Sequence, residues 1–191
     1  MKSINTTKIA ILNLAEQLLQ TQSFSNVSFQ ALAKGVGIKK GSVYYHFESK
    51  EALGEAVLDR TISLLRTGFE DIKTEPAVKQ LHVYINWFAK HIGAAEKLCP
   101  GVSFAASWDA IPESTQGKVK VLFRVHKQGL SAIISRGRQS GEFVFTNQTD
   151  EQLASVVFAL LQGGLLAARV FQNQAEFSTC EAMVLKLVEQ G

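Results

Sequence analysis

Apolar residues return along most of the chain with a helical period. Ile11, Leu12, Ala15, Leu18 and Leu19 fall at i, i+1, i+4, i+7 and i+8, the stripe of an amphipathic helix, and predict one over residues 4–21. Ser23-Phe24-Ser25-Asn26 interrupts the pattern with residues that favour turns and caps. Ser28 stands where an N-cap belongs, with Val27 before it and Leu32 four residues on in the positions of a hydrophobic staple. A short helix over 29–35 follows. Gly35 and Gly37 end it, because glycine accepts the left-handed geometry of a helix C-terminus.

A third helix over 39–46 comes almost at once. Ser49 then caps a long fourth one reaching residue 72, with Leu53, Ala56, Val57, Leu64 and Leu65 as its apolar stripe. Pro76 marks the start of a fifth helix to residue 92. Pro100-Gly101 and Pro112 bracket a short segment over 102–110. Long helices over 113–140 and 150–172 follow, separated by 141–149, and a last one covers 176–190. The longest alternating stretch, residues 142–145, is too short to found a sheet. The fold class expected is all-α.

Composition narrows the picture. The chain has 191 residues, 46% of them hydrophobic and 19% charged, with a net charge of +3. That apolar fraction and small net charge exclude intrinsic disorder. The most apolar stretch, 156–168, is broken by Gln162 and closed by Arg169, which speaks against a membrane span. No secretory signal is visible, and Cys99 and Cys180 make no disulfide framework. A cytoplasmic protein with no membrane partner is expected. No metal or other cofactor is called for: there is no P-loop, His-Glu-x-x-His, nucleophile elbow or Cys-x-x-Cys, so no enzyme is predicted. His82 and His91, nine residues apart, fall on opposite faces of one helix and cannot share a metal.

The charge is unevenly placed. Residues 1–50 carry six lysines against two glutamates, a net +4, while the remainder carries 14 basic and 15 acidic residues, a net −1. A basic first quarter on a near-neutral body suits a polyanion-binding module. Within it, residues 27–52 place two short helices around a tight glycine-containing turn, a helix-turn-helix. The second helix is small at its start (Gly41, Ser42), aromatic afterwards (Tyr44, Tyr45, Phe47), and accompanied by Lys39, Lys40, His46 and Lys50. Basic and hydroxyl side chains at that density suit phosphates, with a few positions left to reach base edges.

These residues resemble the DNA-binding domain of the tetracycline-repressor-like (TetR) family. The resemblance rests on the cap Ser28, the turn Gly35-Val36-Gly37-Ile38, Lys40-Gly41-Ser42, Tyr44-Tyr45-His46-Phe47 and Ser49-Lys50-Glu51-Ala52-Leu53. It covers about the first fifty-five residues. It implies a helix-turn-helix DNA-binding domain over 1–48 and a helical effector-binding and dimerisation domain over 49–191. It further implies that Ser28 touches a phosphate and that Lys39, Lys40, Gly41 and Ser42 enter the major groove or its rim. Tyr44, Tyr45 and His46 would contact backbone and a thymine methyl, and Lys50 a phosphate. Lys39 departs from the family, which often has Ser or Thr there, and a cation opposes the helix dipole at that end.

Such a module reads half an operator, so a homodimer through the last long helices is expected. Residues 153–168, with Leu153, Val156, Val157, Leu160, Leu161, Leu165 and Leu166, are too apolar for one exposed helix. Paired with the helix over 119–134, they suit a four-helix seam. Phe69, Trp87, Phe88, His91, Phe104, Trp108, Phe123 and His126 are the candidate lining of a largely apolar effector pocket. Cys99, beside Pro100-Gly101 and two residues after Lys97, belongs to that set and is also a candidate electrophile or redox sensor. The function expected is a ligand-responsive repressor that binds a palindromic double-stranded DNA operator and releases it on binding a small molecule. The alternatives are a regulator sensing through Cys99 and a helical adaptor that does not bind DNA.

Overall fold

A computed structural model of the chain describes residues 4–92, 97–144 and 148–189. The described residues form α-helices with no β-strand: α1 (Ile4–Thr21), α2 (Phe29–Val36), α3 (Lys40–His46), α4 (Lys50–Ile72), α5 (Ala77–Ile92), α6 (Pro100–Ala105), α7 (Glu113–Ser140), α8 (Asp150–Phe171) and α9 (Ala175–Glu189). The all-α class is thus as the periodicity indicates. One segment differs: residues 102–110 divide into α6 and a 3-10 turn, Trp108–Ala110. Pro100 occupies the first position of α6, where a fixed φ and a missing N–H cost nothing, so the helix starts earlier than expected. A second 3-10 turn, Phe24–Asn26, fills the break after α1.

The chain divides into two compact units. One contains the residues up to Ile62 together with Pro100–Leu122, and the other contains Ser63–Cys99 and the residues from Phe123 onward. The chain passes from one unit to the other within α4, between Cys99 and Pro100, and within α7.

In the first unit, Ile11, Ala15 and Leu19 of α1 are buried with Leu32, Val43, Phe47, Leu53, Val57 and Leu58. α6 belongs to this core. Phe104 stacks on Phe24 with ring centroids 4.8 Å apart, and the Ser103 hydroxyl donates to the Leu19 carbonyl. Ser107 Oγ lies 3.2 Å from Ser25 Oγ and accepts from the Ser25 N–H at 3.4 Å. The Arg60 guanidinium ties α4 to α1 through Glu16 and, at 2.7 Å, Asn13 Oδ1.

In the second unit, Tyr84, Ile85 and Phe88 of α5 are buried with Leu130, Ile133 and Ile134 of α7 and with one face of α8. Gln80, almost fully buried, donates to the Glu75 carbonyl at 2.5 Å and accepts from Arg136. α8 opens on a capping box, in which Thr149 Oγ1 accepts from Gln152 N–H and the Gln152 side chain accepts from Thr149 N–H. Gly164 lets α9 approach closely, since a Cβ there would lie 3.0 Å from Cys180 Cβ.

The pairing of α7 with α8 in a dimer seam, expected from hydropathy, does not fit this packing. Val119, Leu122, Val125, Leu130, Ile133 and Ile134 are already buried within the single chain, and α8 packs along α9 instead. α8 is long and apolar enough by length and composition to cross a membrane, with a mean hydropathy of 1.8. Its buried residues face α9 and the core. Besides Glu151, Gln152 and Phe171 at its ends, its exposed residues, Val156, Ala159, Gly163, Leu166 and Val170, recur at alternating spacings of three and four.

Candidate nucleic-acid interface

Local sequence sets the reading head. Ser28, in extended conformation, accepts from the Ala31 N–H at 3.2 Å and caps α2. Gly37 closes α2 at φ +75°, a left-handed conformation that an L side chain rarely adopts, and its N–H reaches the Ala33 and Lys34 carbonyls. Three residues, Gly37 to Lys39, then join α2 to α3, and Lys39 caps α3 without any side-chain hydrogen bond. Lys39 thus offers no side-chain acceptor to the start of this short helix, and the Ser42 N–H turns back to the Lys39 carbonyl at 2.9 Å.

α3 is seated by Val43, fully buried, and by Phe47, buried just beyond its end. That orientation turns Lys39, Lys40, Gly41, Tyr44 and Tyr45 outward, and all five are exposed. Tyr44 is 51% exposed and Tyr45 71%, unusual for large aromatic rings with no role in the core. Tyr44 is propped edge-on against Phe29 at 4.8 Å, and Tyr45 against His46 at 5.2 Å. The Lys40 ammonium sits 5.8 Å from the Tyr44 ring centroid. Nothing lies within 4 Å of a Cβ built on Gly41, so the start of α3 offers bare backbone to a docking surface. Ser42 and His46 are half-buried on the flank.

Lys50 is placed differently from the other lysines. Its ammonium donates to the carbonyls of Phe24 (3.3 Å) and Ser25 (3.1 Å) and lies 4.7 Å from the Phe24 ring centroid. Its charge is therefore spent on the turn before α2.

In the second unit, Phe69, Trp87, Phe88, Phe123 and His126 come together as one ring cluster. Tyr84, another aromatic of the middle helices, and Phe158 of α8 complete it. Phe158 was not among the expected site residues, because an aromatic at helical spacing reads first as core. Tyr84 OH lies 3.0 Å from His126 Nδ1, and both groups are buried. Burial, reinforced by the neighbouring Cys99, holds the Tyr84 hydroxyl well above its usual range, so it stays a neutral phenol.

Cys99 itself is buried. Phe104 and Trp108, expected in the same pocket, belong to the first unit, where Phe104 stacks on Phe24 and Trp108 carries the Lys120 ammonium 5.6 Å from its ring centroid. The His91 side chain lies outside the described residues. A shallow groove of about 450 Å³ along α5, lined by Val83, Asn86, Trp87, Ala89 and Lys90, shares only Trp87 with the expected lining.

Comparison with known proteins places these features. Residues 11–57 match the family described as bacterial regulatory proteins, tetR family. The chain is 32% identical over 113 residues to the HTH-type transcriptional regulator EthR of Mycolicibacterium smegmatis, which covers 53% of this chain and 52% of that protein. It thus spans about half the length of that curated relative. Over 190 residues it is 25% identical to the HTH-type transcriptional repressor NemR of Escherichia coli K12, covering 95% of this chain and 94% of that one. Its fold superposes with a TM-score of 0.90 on a TetR-family transcriptional regulator from Agrobacterium tumefaciens, at 24% identity, covering 97% of this chain and all of the other.

Proposed function

We propose that this chain, whose residues 11–57 match the tetR family of bacterial regulatory proteins, is a ligand-responsive DNA-binding transcriptional repressor, acting without catalysis in the cytoplasm. The observation that carries the reading is the outer face of α3. A helix held from behind by Val43 and Phe47 displays two lysines, a bare glycine and two largely solvent-exposed tyrosines, of which only Tyr44 leans on a core ring, Phe29. Lys39 and Lys40 supply phosphate contacts, and the start of α3 brings Gly41 and Ser42 to base edges. Tyr44, Tyr45 and His46 contact backbone and a thymine methyl, and Ser28 adds a phosphate contact while capping α2. Lys50 serves this surface by fixing the Phe24–Ser25 turn.

One reading head covers half a palindrome, so the repressor works as a homodimer whose heads sit about one DNA turn apart. Support for the seam comes from α8, where Val156, Ala159, Gly163, Leu166 and Val170 form an exposed apolar stripe with heptad spacing. Met183 of α9, also exposed, extends the apolar surface, so α8 and α9 of two copies make a four-helix seam.

Release of DNA uses two of the three covalent connections to the second unit. α4 runs on from the reading head, and α6 begins directly after Cys99. The contacts Phe24–Phe104 and Leu19–Ser103 hold α6 to α1 and the turn before α2, and Ser107, two residues past α6, meets Ser25, so a shift of α6 reaches the reading head. A coupling of about 1–3 kcal/mol changes operator affinity about 5–150-fold, enough to switch a gene.

Selection of bound duplexes from a random DNA pool at one moderate salt concentration tests the reading. A two-fold symmetric motif is expected. Recovery without a motif would leave only the non-specific electrostatic term and would favour the adaptor alternative.

A further inference from the structure

Residues 1–50 hold six lysines and two glutamates, and the lysines use their charge in different ways. Lys50 gives its ammonium to the Phe24 and Ser25 carbonyls. Lys8, in the second turn of α1, does not. Its side chain is exposed, its ammonium lies 5.4 Å from the centroid of the Phe47 ring, and no described residue hydrogen-bonds or ion-pairs with it. A ring face attracts an ammonium without engaging its lone-pair-seeking N–H groups, so the donors of Lys8 stay available to an anion. No carboxylate offsets it either. Glu16 is held by Arg60, Glu48 forms no ion pair with a described residue, and the first turn of α1 contains no acidic residue.

The Phe47 ring fixes where this charge stands. Phe47 follows directly on α3, is 5% exposed and seats that helix. Lys8 is therefore at the end of α3, while Lys39 and Lys40 are at its start. The seven residues of α3 span about 10 Å, against a major groove about 12 Å wide between its two phosphate borders. A reading helix whose first residues reach base edges carries its end toward the backbone. An ammonium at that end meets phosphate, not base.

We infer that Lys8 brings a DNA phosphate contact from α1 to the corner between α3 and α4, the place that the family resemblance gives to Lys50. It takes a phosphodiester oxygen of a strand bordering the groove, without regard to the base. The Phe47 ring holds the ammonium there before DNA arrives, which lowers the ordering cost of the contact. This assignment deepens the DNA-binding reading above and rests on it.

The test uses the full chain as wild type, Lys8→Met, Lys8→Arg and Lys90→Met, the last an exposed lysine of the second unit whose loss removes the same charge. Anisotropy titrations with the duplex recovered from the random pool, and with a random-sequence duplex, give log affinity against log salt from about 50 to 200 mM. In Lys8→Met the slope is expected to flatten by about 0.9 per subunit, so that a dimer's deficit is about tenfold larger at the low salt than at the high. Lys8→Arg and Lys90→Met keep the wild-type slope. The melting temperature of Lys8→Met falls by no more than about 4 °C, the loss of one exposed ring contact. A lysine that only covers Phe47 would give that thermal shift with an unchanged slope, and this result overturns the proposal. So does a slope lost equally in Lys90→Met, which marks a general charge effect, or one not kept in Lys8→Arg. Wild type that binds neither duplex sinks the repressor reading and this assignment together. Wild type that binds, with a parallel line for Lys8→Met, sinks Lys8 alone.

Discussion

Replacing Lys50 by methionine separates two roles that a lysine at a helix start can play. A phosphate ligand contributes to DNA binding and little to the fold, while a clamp does the reverse. Here the ammonium donates to two backbone carbonyls at 3.1 and 3.3 Å and faces the Phe24 ring at 4.7 Å. Both bonds are at the long end, so they count together as one good charge-assisted bond, about 1.5 kcal/mol. The ring contact adds about 0.5–1 kcal/mol at a half-exposed site. Methionine keeps the stem, so Lys50→Met is expected to cost about 2 kcal/mol. For a chain of this size that lowers the melting temperature by about 4–8 °C, compared at one protein concentration.

The DNA assay reads the other role. Each phosphate contact contributes about 0.9 to the slope of log affinity against log salt. A clamp leaves that slope unchanged, and the variant's binding line runs parallel to wild type, displaced downward by a less well-held turn. An unchanged melting temperature together with a slope smaller by about 0.9 per subunit would refute the clamp and restore Lys50 to the phosphate contacts.

Gly41→Ala is expected to leave the melting temperature unchanged or slightly raised, because the new Cβ meets nothing within 4 Å and alanine favours helix. Operator affinity should fall about 5–150-fold, the cost of 1–3 kcal/mol for a methyl forced into a packed interface, and an unchanged affinity in a gel-shift titration removes Gly41 from the DNA surface. Gly54→Ala should do the opposite. Its Cβ would stand 2.7 Å from Phe24 Cε2 and 3.0 Å from Phe104 Cε1, two rings stacked on each other, and a net loss of about 1–2 kcal/mol remains after the helix-propensity gain. Urea unfolding checks it. Glu142 accepts hydrogen bonds from Val78 N–H, Ser140 Oγ and Ala77 N–H, which hold its carboxyl below the usual 4.5. A carboxyl lowered in the folded state stabilises above its unfolded pKa and loses that contribution as pH falls through the folded value. The stability difference between wild type and Glu142→Gln, followed by urea midpoints, should therefore be present at neutral pH and close in acid.

What the sequence made legible is what local chemistry decides. Ser28 is a cap because its oxygen reaches an N–H three residues away, and any structure containing α2 repeats that geometry. The helix-turn-helix is readable for the same reason: Gly37, Val43 and Phe47 act within twenty residues of one another. The contacts of Lys50 are not legible in this way, because its carbonyl partners lie 25 and 26 residues back, and nothing in its own helix reports them. The same holds for Phe104, whose stacking partner Phe24 lies eighty residues earlier. Hydropathy marked α7 and α8 alike as needing cover, and only tertiary packing shows that the apolar residues of α7 obtain theirs within the chain.

The apolarity of α8 follows from two demands made on one helix. Its inner face must complete the second unit's core through Leu153, Ala154, Val157, Phe158, Leu161 and Leu165. Its outer stripe, with Val170 67% exposed, remains apolar although none of the described residues covers it. A helix serving only the core would carry polar residues there, as α7 does at Arg124, Lys127 and Gln128. A lipid-facing helix would gain nothing from spacings of three and four confined to one stripe, with Gly163 at its centre where two backbones can approach. The second copy of the chain is the cover that this pattern fits. On the proposed reading, α8 completes the second unit's core with one face and joins two copies of the chain with the other.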